Sequence, residues 1–276
     1  MTTPLLPTIT LGGRQVTRLI VGGNPFSGNS HQGPDRDWEM ARFYSQERVL
    51  EVLARCEREG INTLQARGDV FIMRTYLEHR ERGGTLQWIA QTATEMASLK
   101  RNVEAIARFG AVAIYLHGSQ TDRLWQAGKL GEIADSLKII KDAGLPGGLG
   151  THLPEVVEHA QAQGWDADFY MCCFYNVSRE GKDLPTVGQP GSGNRFVEGD
   201  PERMTAVMRA VPQPCLGFKI LAAGRRCESP AAVRAAFEYA FSHLKPTDAV
   251  VVGVFPRDRD QVGENARMVR ELLAAR

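Results

Sequence analysis

The sequence predicts an α/β fold: a (β/α)8 TIM barrel with a short N-terminal β-hairpin, built as one domain over residues 1–276. Three observations predict it. Eight short apolar runs alternate with segments of helical period. Their connections have barrel-like lengths, which favours a closed parallel barrel over an open doubly wound sheet. The 276 residues fall in the range of a single such barrel, and no linker or repeat beyond the βα unit interrupts them.

The elements follow in order. Residues 8–23 read as a hairpin turning at Gly12-Gly13 and then a first buried strand, Leu19–Val21. Residues 24–37 are polar, Gly/Pro-rich and too long for a tight turn, so they read as a functional loop holding His31. Ser45 caps a helix to about Arg58, with Val49, Leu50, Leu53 and Cys56 at helical spacing. Gly60 stops it, and Ile61–Leu64 makes the second strand, ending in the polar run Gln65 to Asp69. After a second helix, Leu86–Ala90 forms the third strand, ending at Gln91-Thr92 with Glu95 just beyond.

A helix over about 97–108 leads to Ala111–Leu116, an apolar run with β-branched Val112 and Ile114. Such a run reads as a strand buried on both faces. It stops at His117, where parallel barrels gather their chemistry, and a polar turn follows. Next come a helix at Glu132–Ala143, a strand at Gly147–Gly150 ending in Thr151-His152, and a helix opened by Pro154. The sixth strand, Asp168–Phe174, ends in Tyr175-Asn176. Residues 178–200 recur in Gly and Pro without apolar period, and read as a lid over the strand ends. Pro201–Val211 is helical, Cys215–Leu221 is a strand carrying Lys219, Ser229-Pro230 caps a helix, Ala249–Val254 is the eighth strand, and Gln261–Leu273 closes the chain.

Composition narrows the function. The content is 43% hydrophobic and 24% charged, as in a soluble globular protein with a sizeable core. A net charge of +1 offers no basic field for nucleic acid or an anionic membrane. The N-terminus lacks the regions of a secretory leader, and no run approaches membrane-spanning length. Five cysteines, an odd number with no CxxC spacing, point to reduced thiols in a cytoplasm. The expected partner is a small molecule.

The strand ends carry Asn24, Gln65, Arg67, Asp69, Gln91, Glu95, His117, Thr151, His152, Cys172, Tyr175, Asn176 and Lys219. This ring suits a small polyhydroxylated or carboxylated ligand. Three arrangements are open. His117 and His152, on neighbouring strands, can exchange a substrate proton while Arg67 holds an anionic group or a developing enolate. The same histidines with Glu95 can form a His₂–carboxylate metal site, although no HxH or HExxH spacing marks one. His31 joins the site only if its loop folds inward. Lys219, flanked by Phe218 and Ile220, either forms a Schiff base or pairs with a carboxylate such as Glu95 or Asp69.

Several segments together resemble the aldo-keto reductases. LGGRQVTRLIVGGNPFSG resembles the family's opening and REGINTLQARGDVF its second-strand region. IYLHGSQTD resembles the fourth strand with its histidine, GLPGGLGTHLPEVVEHA the fifth, FYNVSR the sixth and FKILAAG the seventh. The resemblance spans nearly the whole chain and rests on the order of weak motifs. It implies the barrel with a leading hairpin. Of the family's Asp–Tyr–Lys–His tetrad it matches only the histidine, with His117. Gln65 stands at the aspartate's place, Phe71 at the tyrosine's, and Gln91 or Thr92 at the lysine's. A phenyl ring cannot donate a proton and an amide cannot act as a charged partner.

The resemblance also implies a site for NADPH around Phe218, Arg257, Arg259, Glu264 and Asn265, although Asp258 and Asp260 oppose a 2′-phosphate. Together these readings predict a divergent member of that scaffold. Its expected chemistry is non-redox acid–base work, as a lyase, dehydratase, epimerase or isomerase, on a small sugar-, polyol- or keto-acid-like carbonyl compound. Catalysis falls to His117, His152, Arg67 and Lys219, and substrate binding to Asn24, Gln65, Asp69, Gln91, Tyr175 and Asn176. The alternatives are an NADPH-dependent carbonyl oxidoreductase using His117, and a ligand-binding barrel without catalysis.

Overall fold

Strands β1 (Thr8–Leu11) and β2 (Arg14–Thr17) form an antiparallel hairpin, turned at Gly12 and Gly13 with φ of +55° and +77°. Such left-handed values suit glycine because it has no Cβ to clash. The computed structural model describes residues 4–179, 186–187 and 195–274. After the hairpin come β3 (Leu19–Gly22), a 3₁₀ turn at Asn24–Ser27, α1 (Pro34–Phe43), α2 (Gln46–Arg58), β4 (Thr63–Arg67) and α3 (Val70–Glu81). The chain continues through β5 (Gln87–Gln91), α4 (Leu99–Arg108), β6 (Ala113–Leu116), α5 (Gly118–Gln126), α6 (Leu130–Lys141), β7 (Gly147–Thr151) and α7 (Pro154–Ala162). It ends with β8 (Phe169–Cys173), α8 (Asp200–Ala210), β9 (Cys215–Phe218), α9 (Pro230–His243), β10 (Ala249–Gly253) and α10 (Gln261–Ala274).

Strands β3 to β10 pair in parallel, each with the next in sequence, and β10 closes on β3. The expected barrel and its hairpin are both present. Strand alternation splits the core in two. Ile20, Ile89, Ala113, Tyr115, Phe169, Met171, Leu216 and Val251 fill the interior, and Ile9, Leu11 and Val16 of the hairpin pack against them. Val21, Leu64, Trp88, Ile114, Leu149 and Val250 pack outward among the helices.

The glycine-rich β7 forms a strand because its glycines make room inside. A Cβ on Gly148 would lie 2.6 Å from the Phe169 ring, and one on Gly150 would lie 3.0 Å from the Tyr115 ring. Those two rings meet edge to face at 6.3 Å and plug the barrel below its mouth.

Four expectations are corrected. Helix α1 begins at Pro34, inside the stretch read as a loop, because proline fits a helix's first turn and Asp35 and Asp37 favour its dipole. Helix α5 starts directly after His117, where only a turn was expected. Strand β4 extends through Gln65 and Arg67. Strand β9 ends at Phe218, so Lys219 lies just past the strand instead of within it, with φ +59°. Of the expected lid, residues 180–185 and 188–194 lie outside the described residues. Among the described residues, no helix is long and apolar enough to cross a membrane.

Candidate active site

The fold brings three strand ends together through one hydrogen-bonded chain. His152 follows β7 and is buried. Its Nδ1 lies 2.6 Å from Oδ2 of Asp122, which α5 carries beneath it. Asp122 is itself buried, and it accepts from the Thr151 hydroxyl at 2.6 Å, the Ser178 hydroxyl at 2.8 Å and the His152 amide at 3.2 Å. A carboxylate only accepts, so its contact assigns the ring proton to Nδ1 and leaves a lone pair on Nε2. Nε2 faces the Lys219 ammonium at 3.4 Å. The Phe218 ring meets the imidazole edge to face at 5.5 Å and lies 5.2 Å from Lys219 Nζ.

His31 has turned inward. Its left-handed backbone, φ +58°, is held by Arg225, which donates to the His31 carbonyl at 3.1 Å. Asn24 donates to its Nε2 at 3.4 Å. His117 is half-buried, and its Nδ1 caps α5 by accepting the Ser119 amide at 3.1 Å. Burial, then repulsion from Arg67, His152 and Lys219, pulls the His117 pKa down to about 4. Burial, then Lys219 and His152, pulls that of His31 down to about 3. His152 is also lowered by burial and Lys219, against the pull of Asp122. All three imidazoles are therefore uncharged bases at neutral pH. Burial likewise lowers the pKa of Lys219.

A cavity of about 430 Å³ opens beside this chain. Asn24, His31, Gln65, Phe218 and Lys219 line it, and it reaches Arg259, Glu264 and Asn265 at the start of α10. Gln65 donates to the Tyr115 hydroxyl at 2.8 Å. Gln91 ends β5 with a buried Oε1 that has no partner among the described residues, and the Asn176 Oδ1 is in the same state.

Other expected residues have different work. Asp69 caps α3, accepting the Ile72 amide at 2.9 Å, which occupies the carboxylate assigned to substrate. Arg67 pairs with Glu95 and lies 3.6 Å from Asp69, so its charge is already matched. Among the described residues, no three His, Cys, Asp or Glu side chains form a metal-sized group, so the expected metal set does not assemble. Tyr175 is fully buried, its hydroxyl taking a hydrogen bond from Arg226 at 2.9 Å, and does not line the cavity. Arg257 pairs with Glu39 and Asp258 and also stays out of it. Phe71, at the tyrosine's place, is exposed at the start of α3.

Sequence reading missed Asp122 and Ser178. A buried acid on α5 beside Thr121 and Leu124 was the available signal for Asp122, and it needed that helix to be recognised.

No protein-family model matches this sequence, and no curated protein matches it. Solved structures do. A truncated 3-deoxy-D-arabino-heptulosonate 7-phosphate synthase from Thermotoga maritima is 12% identical with a TM-score of 0.58, over 98% of this chain and 92% of that one. Gox0644 in its apo form is 10% identical with a TM-score of 0.60, over 96% and 93%. The N-acetylmannosamine-6-phosphate 2-epimerase from Clostridium perfringens is 12% identical with a TM-score of 0.51, over 94% and 93%. A synthase and an epimerase match alike, so these likenesses establish the barrel fold and do not single out the aldo-keto reductases.

Proposed function

We propose that this chain is a cytoplasmic barrel enzyme that moves protons on a small hydroxylated carbonyl compound, as a lyase, dehydratase, epimerase or isomerase. The observation that carries the reading is the Asp122–His152–Lys219 chain beside the cavity. Asp122 fixes the ring and its tautomer and balances the imidazolium that forms when Nε2 takes a proton. His152 is then the acid–base group. Lys219 places positive charge where a carbonyl oxygen gains negative charge during enolisation. Neutral His31, with Asn24 and Gln65, offers hydrogen bonds to substrate hydroxyls, whereas His117, expected to share the proton transfer, caps α5 and does not line the cavity.

The test is NMR in D₂O with pyruvate, dihydroxyacetone, glyceraldehyde and common aldoses and ketoses. Wild type should exchange a proton beside the carbonyl, and His152→Ala should slow this on the order of 10²–10⁴-fold. Equal exchange in both proteins, or none by wild type across the panel, refutes the reading.

One observation favours a second reading, an atypical NADPH-dependent reductase on an aldo-keto reductase-like scaffold. Phe218, Arg259, Glu264 and Asn265, four of the five residues expected at a cofactor, line this same cavity. The acids thought to oppose it are matched, Asp258 by Arg257 and Asp260 by Arg55. These residues would hold the dinucleotide, which would supply a hydride. Micromolar quenching on NADPH titration together with cofactor oxidation would establish it.

A further inference from the structure

Burying a lysine without a counter-ion is costly, and the usual remedies are an adjacent carboxylate or a lowered pKa. The two carboxylates that the sequence suggests as partners are engaged elsewhere, Asp69 as a helix cap and Glu95 by Arg67, and Asp122 acts on Lys219 only across the His152 ring. Among the described residues no carboxylate pairs with Lys219. Its polar neighbour is the bare Nε2 of His152, 3.4 Å away, and Lys219 is among the residues that line the cavity. The arrangement matches a nucleophile, a base in contact with it, and a third group orienting the base.

We propose that Lys219 is a covalent nucleophile whose amine condenses with the substrate carbonyl to an iminium, with His152 as the base that frees the amine. The inference rests on the acid–base reading above, keeping His152 as its acid–base group and replacing the electrostatic role of Lys219 by a covalent one.

The atoms balance. The Lys219 ammonium gives one proton to His152 Nε2, and the amine lone pair forms a C–N bond to the carbonyl carbon while the π pair moves to oxygen. A proton passes from nitrogen to that oxygen, giving a neutral carbinolamine. His152 returns its proton as the C–O bond breaks, water leaves, and the nitrogen pair forms C=N⁺. The net change is ammonium plus carbonyl to iminium plus water, with no outside oxidant or reductant. The iminium then draws the electrons of a neighbouring C–H or C–C bond, which suits a keto acid or hydroxyketone. His152, again neutral, is placed to take the released proton.

The experiment incubates the full chain with dihydroxyacetone or pyruvate and sodium cyanoborohydride, followed by peptide mapping. One adduct is expected on Lys219, heavier by the probe plus two hydrogens minus water. It should be absent in Lys219→Met and in Lys219→Arg, whose guanidinium keeps charge and cannot form the imine. His152→Ala should slow labelling on the order of a hundredfold, and added imidazole should restore part of it, an effect a merely structural role would not produce. Label spread over surface lysines, or equal labelling of wild type and Lys219→Met, overturns the proposal. If wild type forms no adduct yet Lys219→Met still exchanges deuterium in a His152-dependent way, the imine falls and the acid–base reading stands. If wild type neither exchanges nor labels, both fall.

Discussion

Two half-buried lysines at opposite ends of the barrel are treated differently. At the amino-terminal end, Lys245 sits 2.9 Å from Oδ1 and 3.0 Å from Oδ2 of Asp248, and also donates to the Met208 carbonyl. Asp248 in turn accepts the Cys215 amide at 2.8 Å and the Lys245 amide at 2.9 Å. Every charge there has its complement, and the knot ties β9 to β10. At the carboxyl-terminal end Lys219 meets an imidazole at 3.4 Å and a phenyl ring at 5.2 Å. The same side chain is structural where an anion meets it, and is left reactive where one is withheld. The Arg67–Glu95 pair, also at the mouth, belongs to the first kind, which is why its charge is a weak candidate for chemistry.

The largest expected effect separates the two ends. Lys219→Met should lower deuterium exchange on the order of 10²–10⁴-fold while leaving the unfolding free energy unchanged or raised by about 1 kcal/mol, since an unmatched buried charge is removed. Asp248→Ala should do the reverse, costing about 3–5 kcal/mol in urea titration because it strands the Lys245 charge, with the exchange rate per folded molecule retained. If Lys219→Met proved as destabilising as Asp248→Ala, Lys219 would be another structural lysine and the contrast would collapse.

How much of this was legible can be read off particular residues. The eight strands announced themselves because each is a short apolar run between helical patterns, and the residues ending them, Gln65, His117, His152 and Lys219, were found by position alone. What each does was not legible, since that depends on partners distant in sequence. Asp122 is 30 residues from His152, on a helix too short to show a period. Glu95 looked available as a ligand until Arg67 was seen to hold it, 28 residues away. The left-handed backbone at Lys219 also leaves no compositional mark, because lysine is not a residue that favours it.

A smaller effect follows from the uncharged imidazoles. His117 and His31 have folded pKa values of about 4 and about 3, below the ordinary 6.5. The unfolded chain therefore binds more protons as pH falls below 6.5. Their contribution is fully present above that value and is lost as pH falls toward 4 and then 3. Urea midpoints should drop across this window, and His117→Gln or His31→Gln should each flatten the slope, by about 1–2 kcal/mol at pH 4 given their partial exposure. A flat profile in wild type would mean that the mouth tolerates charge as readily as the Lys245 end does.

The smallest effect tests whether strain keeps Lys219 in place. Lys219, Ala222 and Ala223 hold φ of +59°, +48° and +51°, left-handed values that cost a residue with a Cβ about 1–2 kcal/mol each. No comparable strain surrounds Lys245, whose position its hydrogen bonds already determine. At the mouth, the turn after β9 does what an anion does below: it fixes where the ammonium sits, by backbone geometry instead of by charge. Ala223→Gly should relieve part of that cost and raise stability by up to about 1 kcal/mol, while loosening the turn. The exchange rate should then fall a few-fold with the His152 dependence retained. A gain in stability with no loss of rate would show that His152 and Phe218 hold the amine without the turn, and that the strain serves something other than Lys219.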